Sequence, residues 1–263
     1  MNPFSGGCHF VEGFPLQAYS KFDRDNTRIK QKVLQGKDLT IVSPSRWLSG
    51  VSLKSEAFGQ FPHHVIPYGI DVNTFRLRDR NALRERLGIK PDARVLLFVA
   101  DGIKNKRKGF QHLLTALGEA VLQNQFTLVV AGKQTDDFTL PESSIELGHV
   151  KDREEMACVY SAADFFVTPA IEDNLPNTVL ESLCCGTPVI AFNIGGMPDM
   201  IEHGKNGILC DAVDGLKLAE SIQMALNIDF NKEGISREAR SRYSPENQAQ
   251  AYLDIYQRTV QNN

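Results

Sequence analysis

A chain of 263 residues with 42% hydrophobic and 23% charged residues has the apolar content of a folded protein, which excludes a disordered one. Its formal net charge of -3, with no long run of like charges, argues against a nucleic-acid surface. The five cysteines (Cys8, Cys158, Cys184, Cys185 and Cys210) are odd in number and include no C-x-x-C pair, so they read as reduced thiols and not as a disulfide framework or a zinc site.

In chain order, "LTIVSPS" (Leu39 to Ser45) and "HHVIPYGID" (His63 to Asp71) carry short strand-forming runs. The charged stretch Arg76 to Ala93 has helical period and is closed by Gly88 and Pro91, so it reads as a linker helix. "RVLLFVAD" is then a strand, and "GFQHLLTALGEAVLQN" a helix with Phe110, Leu113, Leu114 and Leu117 on one face. "FTLVVAG" is the next strand, "SIELGHV" a shorter one, "DREEMACVYSAA" a helix and "DFFVTPA" a strand. "LPNTVLESLCCG" as helix, "PVIAFNIGG" as strand, "GILC", the helix "GLKLAESIQMAL" and a terminal helix "SPENQAQAYLDIYQRTV" complete the series. Strands and helices alternating over short Gly- and Pro-marked loops predict an α/β fold, a Rossmann-like parallel sheet with helices on both faces.

The apolar runs fall well short of the ~20 residues that span a bilayer. The start, "MNPFSGGCHF", lacks the charged-then-apolar pattern of a signal peptide. The expectation is a cytoplasmic protein, with room for peripheral contact at the inner face of a membrane.

The stretch "EDNLPNTVLESLCCGTPVIAF" concentrates the chemistry. Ligands of open parallel sheets bind beyond the carboxyl ends of the strands, where helix N-termini also point. Pro176 suits the first helical turn because its missing N–H has no helical partner there. The free N–H groups of Asn177 and Thr178 then offer an anion site. Val179, Leu180, Leu183 and Cys184 form the apolar side, while Thr178 and Glu181 lie three apart on the other. Donors for a phosphate and carboxylates for hydroxyl groups within a turn or two suit a nucleotide carrying a sugar. The plainer reading of Glu172 and Asp173 is as helix-capping carboxylates.

The segment "DNLPNTVLESLCCGTPVIAFNIGGMPDMI" resembles the signature of the retaining family 4 glycosyltransferases. "VIPYGIDVNTF", "RKGF", "YSAADFFVTPA" and "NGILC" resemble further motifs of that family in the same order, so the likeness covers most of Ile41 to Val260. It implies the GT-B fold, with this chain holding the C-terminal donor domain. It further implies sugar transfer, with retention, from a nucleotide-diphosphate sugar to a polysaccharide or lipid-linked saccharide, with no metal and no cofactor beyond the donor substrate.

By the same resemblance, Glu181 takes the ribose-binding acidic position. Asp173 falls where the family has a sugar-contacting Glu, one methylene longer, and the adjacent Glu172 is the substitute. Lys108 takes the diphosphate lysine. Ala100-Asp101 stands where Gly-Arg is usual, so Arg107 replaces the missing arginine, with Lys104 and Lys106 behind it. Catalytic roles thus fall to Lys108 and Asp173. Donor binding falls to Arg107, Lys108, Glu172, Asp173, Asn174, Leu175, Pro176, Asn177, Thr178 and Glu181. Gly195 to Pro198 resembles the donor-domain glycine loop, and its plainer reading is a turn after a strand.

A nicotinamide-binding reading fails because no G-x-G-x-x-G follows "VLLFVA", and the Walker pattern is missing too. His149 and His203 read as turn or surface residues, and the adjacent His63 and His64 cannot share one metal site on a strand. The reading divides the chain into a partial acceptor-side segment (1–75), the linker helix (76–93), the donor domain (94–240) and a crossover helix (241–263). Some 75 residues ahead of the linker are fewer than the roughly 100 or more that a domain usually needs. "SGGCHF", with His9, resembles a segment found late in acceptor domains, so a fragment is expected. A nucleotide-sugar-binding module inactive by itself is the alternative. Tyr252, Ile255, Tyr256 and Val260 form one face of the terminal helix, an expected self-association surface.

Overall fold

The computed structural model describes residues 20–123, 125–133 and 138–261. The "SGGCHF" segment, with Cys8 and His9, lies outside them. The chain divides into two compact units, Met1–Pro67 and Tyr68–Asn263.

In the first unit, helix α1 (Ser20–Leu34) precedes strand β1 (Ile41–Ser43), helix α2 (Arg46–Leu53) and strand β2 (His63–Val65). β1 and β2 pair in parallel, Val42 opposite His64. Ser45 starts α2 by accepting the Leu48 N–H at 3.1 Å, which satisfies one of the helix's orphan donors. α1 and α2 are additions to the elements read from sequence. The His63 ring lies between the Phe61 carbonyl at 2.7 Å and the Ser52 hydroxyl at 2.8 Å.

The second unit begins with helix α3 (Arg80–Arg86) and continues through β3 (Val95–Gly102), α4 (Phe110–Gly118), β4 (Thr127–Lys133), β5 (Ile145–Gly148), α5 (Arg153–Ala162), β6 (Phe165–Thr168), α6 (Asn177–Cys184), β7 (Val189–Phe192), α7 (Met197–Met200), β8 (Gly207–Cys210), α8 (Gly215–Ala225), α9 (Lys232–Arg242) and α10 (Pro245–Gln261). Its six strands form one sheet in the order β5-β4-β3-β6-β7-β8, every pair parallel. Alternation along β3 sends Val95 and Leu97 into one core and Leu96 and Phe98 into the other. The first core is closed by α5, α6 and α9 through Tyr160, Leu180 and Ile235, and the second by α4 and α8 through Leu113 and Leu218. This is the Rossmann-like architecture with both faces covered that the alternating pattern predicts.

Three local readings are corrected. α3 is shorter than the expected 76–93 and packs within the second unit: Arg84, 1% exposed, donates to the carbonyls of Ala162 (2.9 Å) and Ala93 (2.8 Å) and to Asp164 (2.8 Å). α4 stops at Gly118, short of the expected end, as the chain turns extended at Glu119. Helix α9 has few apolar residues, which hid its period. Lys232 and Ser236 anchor it to the carbonyls of Ala163 (2.7 Å) and Cys184 (2.5 Å). On α10, Ile255 is buried while Tyr256 and Val260 are exposed, so part of the face read from the sequence is open. Among the described residues, no helix is long and apolar enough to cross a membrane.

Candidate functional site

Three loops and one helix N-terminus meet at the carboxyl ends of β3, β6 and β7. After β3, Lys106–Lys108 form a short 3-10 turn, started by Asn105, whose side chain accepts the Arg107 N–H at 3.1 Å. Gly109 ends it in the left-handed region (φ 67°), and a Cβ there would overlap the Pro169 carbonyl oxygen. The glycine therefore lets the basic turn lie against the loop that follows β6. That contact is clipped by the Ile171 N–H donating to the Arg107 carbonyl at 2.9 Å.

The clip brings two neighbouring pairs of opposite charge together. Lys108 Nζ lies 2.9 Å from Asp173 Oδ2, and Arg107 Nε lies 4.0 Å from Glu172 Oε2. Lys108 and Asp173 are half-buried, whereas Arg107 and Glu172 are more exposed. Asp173 is fixed further by the Asn174 N–H, 2.9 Å from its Oδ1, and by the Gly196 N–H, 3.3 Å from its carbonyl oxygen. Gly195, at φ 53°, passes so close that a Cβ would overlap this carbonyl oxygen. The glycine loop after β7 therefore supports Asp173 through its backbone, a role that goes beyond a turn.

Pro176 precedes helix α6 and is not inside it. It is extended (φ -65°, ψ 126°), and its carbonyl accepts the Val179 N–H at 3.1 Å. The expected place in the first turn is off by one residue, and no side chain caps the helix. Leu175 is buried in the core beneath, so its side chain anchors the loop. The amides of Asn177 and Thr178 open α6 at the crevice.

Glu181 and Thr178 line a separate hollow of about 270 Å³ with Ala100 and Asp101 at the end of β3, Gly132 at the end of β4, and the segment His149 to Arg153. Glu181 Oε2 accepts the hydroxyl of Tyr160 at 3.0 Å. Burial raises the Glu181 carboxyl above the usual range, opposed by the Tyr160 hydrogen bond and the Arg153 charge. Burial, then the Glu181 charge, raises the Tyr160 phenol well above its ordinary value, so it stays a donor. Arg153 is 5.3 Å over the Phe75 ring and 3.9 Å from Asp71 Oδ2.

The predicted site residues thus form two groups joined by the start of α6: a charged cluster (Arg107, Lys108, Glu172 and Asp173) and a hollow holding Thr178 and Glu181. Asp101, standing where an arginine was expected, pairs with Lys133 at 3.1 Å. Tyr160 and Arg153 were missed. A tyrosine at a core position of a helix is a legible signal, because a buried phenol needs a partner, but the partner's identity is not. His203 is a turn residue whose Nδ1 accepts the Leu209 N–H at 3.2 Å, and His149 is an exposed residue at the rim of the hollow.

The fold and crevice define an α/β protein of the doubly wound parallel class whose ligand side is the carboxyl end of the sheet. Residues 93–227 match the family model described as Glycosyl transferases group 1, and the chain belongs to that family. The D-inositol 3-phosphate glycosyltransferase of Xylanimonas cellulosilytica is 31% identical over 214 residues, covering 73% of this chain and 50% of the relative. A second such enzyme, from Catenulispora acidiphila, is 27% identical over 257 residues, covering 87% and 59%. The chain spans about half the length of the curated relatives it matches. Among solved structures, Anabaena HepE in complex with UDP superposes with a TM-score of 0.78 at 18% identity, over 96% of this chain and 70% of that one. Sucrose-phosphate synthase from Thermosynechococcus elongatus gives 0.73 at 21% identity, over 92% and 63%. These are GT-B glycosyltransferase folds, and the present chain shares the fold.

Proposed function

We propose that the chain binds a nucleotide-diphosphate sugar at the carboxyl end of its parallel sheet and serves the transfer of that sugar, with retention, to a saccharide or lipid-linked saccharide acceptor. The observation that carries this reading is the first turn of α6, which sits between a charged cluster holding Lys108 and Arg107 and the half-buried Glu181 carboxylate. Base and ribose enter the hollow, and the Glu181 carboxylate accepts from the ribose hydroxyls. The diphosphate lies over the amides of Asn177 and Thr178, where the helix dipole favours negative charge. Lys108 and Arg107 face it from the 3-10 turn, and Asp173 with Glu172 receives hydroxyls of the sugar. HepE structures carrying UDP and UDP-glucose support a uridine nucleotide as the first donor to try.

In the transfer, the bond from the anomeric carbon to the diphosphate oxygen breaks, a bond to the acceptor oxygen forms on the same face, and the acceptor proton leaves with the diphosphate. Charge developing on that oxygen is met by Lys108, Arg107 and the α6 amides, groups fixed before the reaction begins. Asp173 orients the Lys108 ammonium, so one pair serves both the sugar and the leaving group.

Calorimetry with UDP, GDP, ADP and the matching nucleotide sugars tests the reading. Glu181→Ala is expected to weaken nucleotide binding by about tenfold or more, since hydrogen bonds to a charged group contribute roughly 1.5–3 kcal/mol. Asp173→Ala should weaken the nucleotide sugar more than the free nucleotide. Equal binding by wild type and Glu181→Ala to every nucleoside diphosphate would refute the donor site. Transfer by the 263-residue chain, measured separately, distinguishes an active enzyme from a binding module.

A further inference from the structure

We propose that Tyr160 is a positioning residue for nucleotide recognition: its hydroxyl holds one oxygen of the Glu181 carboxylate and leaves the other as the acceptor for ribose. The inference rests on the donor-site reading above and adds to it a residue in the wall of the hollow that acts through Glu181.

Tyr160 has no solvent exposure. Its ring meets Phe75 edge-on at 6.3 Å and Phe166 at 5.7 Å, and its carbonyl accepts the Thr187 hydroxyl at 2.6 Å. Ring and backbone are both fixed, so the phenol oxygen is a fixed point on α5. From there it reaches across to Oε2 of Glu181 on α6 at 3.0 Å.

A glutamate side chain has three rotatable bonds, and ordering it at the moment of binding opposes affinity. A donor rooted in the core does that ordering during folding. A carboxylate has two oxygens with about four acceptor positions, so one phenol leaves Oε1 free for hydroxyl groups. The tie also keeps Glu181 from swinging toward Arg153, whose charge acts on it and whose guanidinium is engaged with Phe75 and Asp71. A phenylalanine would fill the same volume without asking the wall of the hollow for an acceptor.

The test uses Tyr160→Phe in the 263-residue chain. Binding is measured by calorimetry for whichever of UDP, GDP and ADP binds tightest, and for its 2′,3′-dideoxy counterpart. The ribose form should weaken by about three- to tenfold, the cost of ordering one side chain, and the dideoxy form should not change. Loss of affinity for both forms alike, which a merely structural role would give, overturns the proposal, and so does no loss for either.

The double variant Tyr160→Phe with Glu181→Ala removes the half-buried carboxylate as well, so it remains measurable if the single change unfolds the chain. It should bind the ribose form as Glu181→Ala does, and any further loss refutes positioning through Glu181. If Glu181→Ala itself binds the ribose form as tightly as wild type, the donor-site reading has failed, a result distinct from failure of the Tyr160 tie.

Discussion

Glu181 is under two opposing demands, and pH separates them. Burial lifts its carboxyl above the usual glutamate range, against the opposing effects of Tyr160 and Arg153; its other near neighbours, Cys184 and Cys185, are thiols pushed up by burial and therefore neutral. Accepting from ribose needs the carboxylate, so nucleotide affinity should fall as the pH drops through the raised value. The fall should begin at a higher pH than for an exposed glutamate. Stability without nucleotide runs the other way. A group whose folded pKa exceeds its unfolded value contributes stability that is present below the unfolded value and lost as pH rises through the folded one. Glu181→Gln should therefore raise the unfolding temperature near neutral pH while weakening nucleotide binding. Titrations and thermal scans of both chains from about pH 4 to about pH 8 check both signs. A binding curve that is flat on the acid side would show that the carboxylate is not the ribose acceptor.

At the scale of elements, α6 and α3 make separable predictions. Pro176→Ala should change nucleotide affinity little, because the residue before the helix contributes its carbonyl, which alanine keeps. Thr178→Pro deletes an amide in the first turn, where proline is tolerated. It should lower affinity for a nucleoside diphosphate far more than for the nucleoside, and equal losses would move the diphosphate away from the helix N-terminus. In α3, Arg84→Ala takes the fully buried partner from the half-buried Asp164, which keeps Arg80 at 2.9 Å, and removes donors from three carbonyls. Breaking a buried pair from one side costs about 3–5 kcal/mol, so denaturant unfolding should show a loss in that range. A loss under about 1 kcal/mol, typical of surface pairs, would mean that α3 is not packed as described.

For the whole molecule, every residue of the proposed donor site lies in the Tyr68–Asn263 unit. A ligand held there stabilises the native state by mass action, about 2.7 kcal/mol at a hundredfold excess over Kd. UDP should raise the unfolding temperature of the wild type and raise that of Glu181→Ala much less at the same concentration. If both shift alike, nucleotide binds elsewhere. The buried thiols offer a check on compactness: burial pushes Cys184 up to about 12 and Cys185 further, so neither should react with thiol reagents in the folded chain.

The sequence by itself determined the parallel α/β class, because apolar strand runs alternating with amphipathic helices are local patterns that both cores require. It also singled out Lys108, Asp173, Thr178 and Glu181 as candidates, because the motifs that carry them are contiguous. It could not show that Lys108 meets Asp173 across 65 residues, or that Tyr160 meets Glu181 across 21, since such pairs arise only when β3, β6 and their helices dock. Helix α9 escaped a periodicity reading for a related reason: its few buried residues are specified by the surface it packs against. Gly195 read as a turn, and only the fold shows its backbone against the Asp173 carbonyl. Pairing of charges and close approach of backbones are properties of distance in space, which local pattern does not encode, and tertiary packing decided them.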